Sequence, residues 1–365
     1  MDSRGKDKVI CIMFTLFLAI GFLLCVFYPK KEYSDSERRK LSSMPRFTVK
    51  TVWQGRFMSE FETAAADTFP FREQFRTLKA LTAAEIFRRG DNNGIYVSGD
   101  FISKLEYPMN EDSLNRALLR LQYICGKYLT EENGVFLSVI PDKNCFLAKE
   151  SGRPSMDYRA FEDYIRQRTD FAEYITVSDL LEKEDYYKTD THWRQEQIAD
   201  VAKRLAESMG ASLSDDYEVH TLEGDFYGVY YGQAALPFAP EEIKYLTGEA
   251  INACKVYDWQ NGRDIPVYSM EKAGGKDPYE MFLSGPLSLV TIENPLAKED
   301  RRLVIFRDSF GSAIAPLLIS GYSEITLADI RYMHPDNLGK FVDFGGCDVL
   351  FLYSTLVLNH SETFK

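Results

Sequence analysis

Histidine is scarce in this chain, with four in 365 residues, and tryptophan is scarcer, with three. No two cysteines stand in a C-x-x-C spacing, and His220, His334 and His360 have no ligand-like residues spaced around them, so a zinc site is not indicated. Basic residues fall short of acidic ones, 43 against 55, for a formal net charge of −12. Polyphosphate recognition needs a basic face, so a general nucleic-acid binder is excluded. No internal repeat and no low-complexity tract occurs. Nothing in the pattern calls for a metal or a cofactor. What remains is apolar content ample for a sizeable core in one large domain or two moderate ones.

The N-terminus carries the longest apolar run, VICIMFTLFLAIGFLLCVFY over residues 9–28. At about 1.5 Å per helical residue it spans a hydrocarbon core of about 30 Å. The run exceeds the apolar core of a cleaved signal peptide, and Tyr28-Pro29-Lys30-Lys31 offers no small-residue cleavage site. An uncleaved signal anchor is expected. Arg4, Lys6 and Lys8 before it nearly balance Lys30 and Lys31 after it. A single span after an eight-residue tail most simply leaves residues 1–8 in the cytoplasm and exports the rest, giving a single-pass protein of the cell membrane. Cys11 and Cys25 belong to the span. Cys125, Cys145, Cys254 and Cys347 lie outside it, an even number that fits either disulfides in an oxidising compartment or four buried thiols.

Residues 29–52 are charged and Pro-punctuated, as in a stalk. Residues 53–90 read as a helical lead-in packed on the domain. Trp53, Phe57, Phe61 and Ala65 recur at helical spacing, Pro70 in DTFPFREQF breaks the helix, and Phe71, Phe75, Leu78 and Ile86 resume a stripe read as core packing. Residues 91–365 alternate strands and helices. GIYVSGDFI has hairpin character, residues 111–129 and 158–168 are helical, and GVFLSVIP is a short buried strand. RQEQIADVAKRLAESMG is a helix stopped by Gly210, and RLVIFRDSF, SEITLADIR and DVLFLYST are further strands. This alternation predicts an α/β domain with a mostly parallel sheet covered by helices on both faces. The region around 215–300 is irregular and reads as an insertion.

In such sheets ligands bind beyond the carboxyl ends of the strands. Ser309 stands at one such strand-to-helix turn, in VIFRDSFG, with the amides of Phe310 and Gly311 as candidate oxyanion donors. Arg307 replaces the first glycine of a G-x-S-x-G elbow. The bland alternative is that Ser309 only caps the following helix. Asp190 and His192, in YYKTDTHWR, supply a histidine base and an acceptor for its other nitrogen. Residues i and i+2 share a side only in extended chain, so this pair works on a strand end or loop and not in a helix. An incidental surface ion pair and an Asp-x-His metal site are the competing readings. Asp308 has the look of a turn residue.

Taken together, YYKTDTHW, IPDK at 140–143, RDSFGSAIAPLL, ADIRY followed by DVLFLY, and the upstream DTFPFREQF resemble the DHHW protein family. That family is related to the alginate O-acetylation proteins AlgJ and AlgX, which carry an SGNH-hydrolase-like domain. The resemblance covers roughly residues 40–360, and Thr191 replaces the second letter of the Asp-His-His-Trp motif. It implies an SGNH-hydrolase-like fold and a triad of Ser309 as nucleophile, His192 as base and Asp190 as orienter. It further implies acetyl transfer to, or removal from, an extracytoplasmic cell-surface polysaccharide, with a membrane-bound O-acyltransferase as a partner. Arg331 matches a basic position lining related sites, or else pairs with Asp329 or Asp308. Trp193 either stacks on a sugar or supports the triad by packing. Lys143, in the recurrent Pro-Asp-Lys, has no role assignable from sequence. A scaffold that keeps the shell to bind glycan without catalysis is the rival reading.

Overall fold

The structure is a computed structural model that describes residues 3–214 and 216–365. The chain divides into two compact units, one of Met1–Asn92 with Gly232–Pro237 and one of Asn93–Tyr231 with Phe238–Lys365.

The first unit opens with α1 (Ser3–Phe27), 25 residues long and apolar enough to cross a bilayer. After it come α2 (Val49–Trp53), α3 (Arg56–Asp67) and α4 (Arg72–Leu81). The break between α3 and α4 falls at Pro70, where Phe71 takes a left-handed φ of 56°. The stripe expected to be core is exposed: Phe75 and Leu78 are 52% and 58% exposed, and Ile86 71%. Burial on this unit instead goes to a polar knot. The Asp67 carboxylate takes a fork from Arg39 at 2.9 and 2.6 Å, and that hydrogen bonding holds its pKa well below the usual carboxylate range.

The second unit is built on an eight-stranded sheet. In chain order its strands are β1 (Val135–Ile140), β2 (Glu173–Tyr174), β3 (Lys255–Asp258), β4 (Arg263–Ile265), β5 (Leu289–Glu293), β6 (Arg302–Arg307), β7 (Glu324–Ala328) and β8 (Asp348–Ser354). Across the sheet they run β4-β3-β5-β7-β6-β8-β1-β2. The five strands from β7 to β2 are parallel, and β5, β3 and β4 add an antiparallel flank. That flank corrects the reading of residues 215–300 as an insertion, because 255–293 supply three strands of the sheet. These strands are only three to five residues long, and β3 alternates exposed with buried.

Both faces of the sheet are covered, as period-2 alternation along its strands requires. Leu303 and Ile305 of β6 pack on one side with Val201, Ala202 and Leu205 of α8 (Ala199–Ser208). Val304 and Phe306 pack on the other with Leu118 and Leu121 of α5 (Glu111–Tyr128) and with Phe161 of α7 (Tyr158–Arg168). A further helix, α6 (Asn144–Ser151), follows β1. The hairpin expected in GIYVSGDFI pairs Ile95–Ser98 with Phe101–Lys104. All six cysteines are free thiols, with Cys347 buried and Cys125, Cys145 and Cys254 half-buried.

Candidate active site

Strand β6 ends at Arg307, and α9 (Phe310–Leu318) begins three residues later. Ser309 occupies the cap position of α9, yet its hydroxyl caps nothing. The capping work falls to Asp308, whose Oδ1 accepts from the Phe310 amide at 3.0 Å while Oδ2 accepts from the Ser354 amide at 2.8 Å. The Ser309 hydroxyl is thereby left to face His192.

Residues 186–193 form a tight β-loop. Tyr186 bridges Trp193, the Tyr187 amide donates to the His192 carbonyl at 3.0 Å, and the Arg194 amide closes on the Asp185 carbonyl at 2.7 Å. At its tip the chain bends, and the Asp190 carboxylate accepts from the His192 amide at 3.1 Å, which brings it beside the imidazole. His192 Nδ1 lies 2.6 Å from Asp190 Oδ1, and Nε2 lies 2.7 Å from Ser309 Oγ. A carboxylate only accepts, so Nδ1 carries the proton and Nε2 is the bare nitrogen that accepts from the serine O–H. Asp190 is fully buried, and its Oδ2 accepts from the Val229 amide at 2.8 Å. The structure thus brings Ser309, His192 and Asp190 into one hydrogen-bonded line across 117 residues of sequence.

The other candidates are placed differently. Trp193 is wholly buried, so it has no face to offer a sugar. Its indole N–H donates to the Phe310 carbonyl at 3.2 Å, and its ring meets Phe310 edge-on. The Phe310 amide is committed to Asp308, and the Gly311 amide turns back to the Asp308 carbonyl at 3.2 Å. The oxyanion reading of those two amides is therefore corrected. Among the described residues nothing accepts from the amide of Ser309 itself, which makes it the donor at the turn that is free for an oxyanion. Gly311 serves packing, because a Cβ there would lie 2.6 Å from Arg307 Cβ. Arg331 sits in the turn beyond β7 and forks onto Asp329, Nε to Oδ1 at 2.9 Å and Nη2 to Oδ2 at 2.6 Å. No cluster of three or more His, Cys, Asp or Glu able to hold a metal occurs among the described residues.

Five residues that sequence reasoning left without a role hold the loop. Lys143, 1% exposed, donates from Nζ to the carbonyls of Tyr187 and Lys188 at 2.7 and 2.9 Å. Burial pulls its pKa down to about 7 against the pull of Asp190, Glu241 and Asp142. Glu241 takes the opposite poles: its carboxylate accepts from the Lys188 amide at 2.6 Å and the Thr189 amide at 2.8 Å. Gly228 lies against the same peptide, where a Cβ would stand 2.3 Å from Asp190 N. Tyr279 stacks on the His192 imidazole with centroids 3.9 Å apart and planes 8° from parallel. Among the described residues its buried hydroxyl has no partner, so it is the ring and not the phenol that makes the contact. Gln195 then ties the loop to α9, donating to the Ala313 carbonyl at 2.7 Å.

A mostly parallel α/β sheet with this serine turn at a strand's carboxyl end is the architecture expected from the sequence. No family model matches the sequence, and no curated protein matches it significantly. Solved structures do match the fold. A DHHW family protein from Eubacterium siraeum aligns with a TM-score of 0.60 at 23% identity, over 75% of this chain and 95% of its own. PatB1 of Bacillus cereus, solved with a sulfonyl adduct, aligns at 0.56 and 17% identity, over 72% of this chain and 94% of its own. The O-acetyltransferase domain of Pseudomonas putida AlgJ aligns at 0.45 and 12% identity, over 73% and 92%.

Proposed function

We propose that this chain is a membrane-anchored, extracytoplasmic serine enzyme that moves acetyl groups on a cell-surface polysaccharide, with Ser309, His192 and Asp190 as its triad. The observation that carries the reading is the unbroken relay from Asp190 Oδ1 through His192 to Ser309 Oγ, at 2.6 and 2.7 Å. Ser309 Oγ attacks the acetyl carbonyl as its proton passes to His192 Nε2. The imidazolium so formed is held by the buried Asp190 carboxylate, and the oxyanion meets the Ser309 amide. Collapse returns the proton from Nε2 to the departing oxygen and leaves an acetyl ester on Ser309. A sugar hydroxyl, or water, then gives its proton to Nε2 and takes the acetyl group, restoring the serine. Transferase and esterase differ only in which hydroxyl arrives. The α1 helix anchors the chain to the membrane, and a membrane-bound O-acyltransferase supplies the acetyl group.

Turnover of p-nitrophenyl acetate tests the reading. Ser309→Ala and His192→Ala each abolish it while the circular dichroism spectrum stays unchanged. PatB1 takes a sulfonyl adduct, so a sulfonyl fluoride is the matching probe and labels Ser309 in the native chain. A folded protein that is neither labelled nor active is a scaffold, and the proposal then fails.

A further inference from the structure

Two arginines of α4 turn inward: Arg72 reaches Glu37 and Asp67, and Arg76 reaches Glu37 and the Gly232 carbonyl, while Glu73 and Lys79 stay exposed. The apolar side chains turn outward, with Phe75, Leu78 and Leu81 exposed and Ile86 and Phe87 exposed just beyond. Further upstream, Phe47, Val49, Met58 and Phe61 are exposed, and Trp53, at 92%, is bare. Surfaces that face only water do not carry contiguous apolar patches of this extent.

Position, chemistry and charge each point to what covers this face. Tyr28, the first residue after α1, packs its ring 5.1 Å from that of Phe71, the residue that opens α4. The start of α4 is thereby pinned to the foot of α1, the level at which a spanning helix leaves hydrocarbon for headgroups. Tyr28, Phe69 and Phe71 line one hollow there, and Trp and Tyr in particular are enriched at membrane interfaces. Of the exposed residues between Arg46 and Arg89, six are Lys or Arg and four are Asp or Glu, in a chain whose net charge is −12. A basic, amphipathic segment is what anionic lipid headgroups hold.

We infer that residues 46–89 form a platform that lies in the surface of an anionic bilayer, its apolar face sunk into the boundary between headgroups and acyl chains. This rests on the reading of α1 as a membrane span. The covering of this stripe is lipid and not protein.

The test uses the full-length chain in nanodiscs of phosphatidylcholine and phosphatidylglycerol, with the photo-crosslinker p-benzoylphenylalanine placed singly at Phe22, Phe75 and Ile86. The expected result is phospholipid adducts at all three positions. Lipid adducts at Phe22 alone, with Phe75 and Ile86 joined to protein or to nothing, overturn the platform and leave the span standing. No lipid adduct at Phe22 removes the span reading, and the platform with it. A second measurement needs no crosslinker. Brominated lipids should quench the chain's tryptophan fluorescence, and Trp53→Phe should remove most of that quenching. Equal quenching in the variant overturns the inference.

Discussion

Lys143→Met separates the loop's geometry from the stability of the fold. The substitution keeps the length of the side chain and removes both of its hydrogen bonds, leaving the Tyr187 and Lys188 carbonyls without the ammonium. The Lys188 carbonyl keeps the Ile102 amide at 2.8 Å, so only the Tyr187 carbonyl is stripped of its partner, at a cost of about 1–3 kcal/mol. Against this stands the burial of the charge. A lysine whose pKa falls from 10.5 to about 7 costs the folded state about 5 kcal/mol, and methionine carries no such penalty. The charge penalty outweighs the lost bond, so at pH 7 the variant folds with a stability about 2–4 kcal/mol above that of the native chain. Activity does not share the gain. Asp190 lies three residues beyond the freed carbonyl, and misplacing a catalytic group by about 1 Å costs on the order of 100-fold in rate. The kcat for p-nitrophenyl acetate falls by about that factor. The pH dependence has a definite sign. Folded Lys143 gives up its proton near pH 7, and unfolded Lys143 keeps it to about 10.5. Between those values the unfolded chain holds more protons, so raising the pH favours the folded native protein by about 1.4 kcal/mol per pH unit from this group. Below pH 7 the term is flat. Thermal melts at pH 7 and pH 9 should therefore show the native chain gaining about 2–3 kcal/mol on Lys143→Met. A native chain that loses stability relative to the variant as the pH rises, or a variant with full kcat, refutes the reasoning.

Two neighbours give independent checks. Gly228→Ala puts a Cβ where the Asp190 amide and the Thr189 carbonyl already stand, at 2.3 Å. Backbone cannot yield as a side chain can, so the loop shifts and turnover drops by at least about 10-fold. A folded Gly228→Ala chain with native turnover contradicts that close approach. Tyr279→Phe removes a buried hydroxyl that has no partner, so it leaves kcat unchanged and holds or raises the melting temperature, whereas Tyr279→Ala unstacks the imidazole and lowers kcat. Equal loss in both variants would place the function in the phenol.

The pair of motifs could be read from sequence because each carries its geometry locally. Asp190 and His192 cannot cooperate in a helix and so mark a strand end or loop, and Ser309 follows an apolar run that reads as a strand. Their meeting could not be read, because it depends on long-range partners of ordinary residue type. Lys143 and Glu241 are a lysine and a glutamate like many others until the fold sets one on the carbonyls and the other on the amides of residues 187–189. Tyr279 lay in a region that looked irregular because the flank strands are too short for period-2 alternation to emerge. The oxyanion donor was misassigned for a similar reason. Asp308 was read as a turn residue, and it is one, but its carboxylate takes the Phe310 amide that the sequence seemed to leave for substrate.

The stripe at Phe71, Phe75, Leu78 and Ile86 is a harder case, because its period is correct and its environment was misread. Helical spacing of apolar residues states that one face leaves water, and it is silent on whether protein or lipid receives that face. The opposite face decides. In a helix packed on a water-soluble core, the charges are turned to solvent. On α4 Arg72 and Arg76 are folded inward onto Glu37, Asp67 and the Gly232 carbonyl. The exposed face carries Phe75 and Leu78 beside Glu73 and Lys79, the mixture that suits a boundary between headgroups and acyl chains. Arg39 and Glu37 come from the segment read as a loose stalk, and their pairing with Asp67 and Arg72 makes that segment the polar core of the anchor unit.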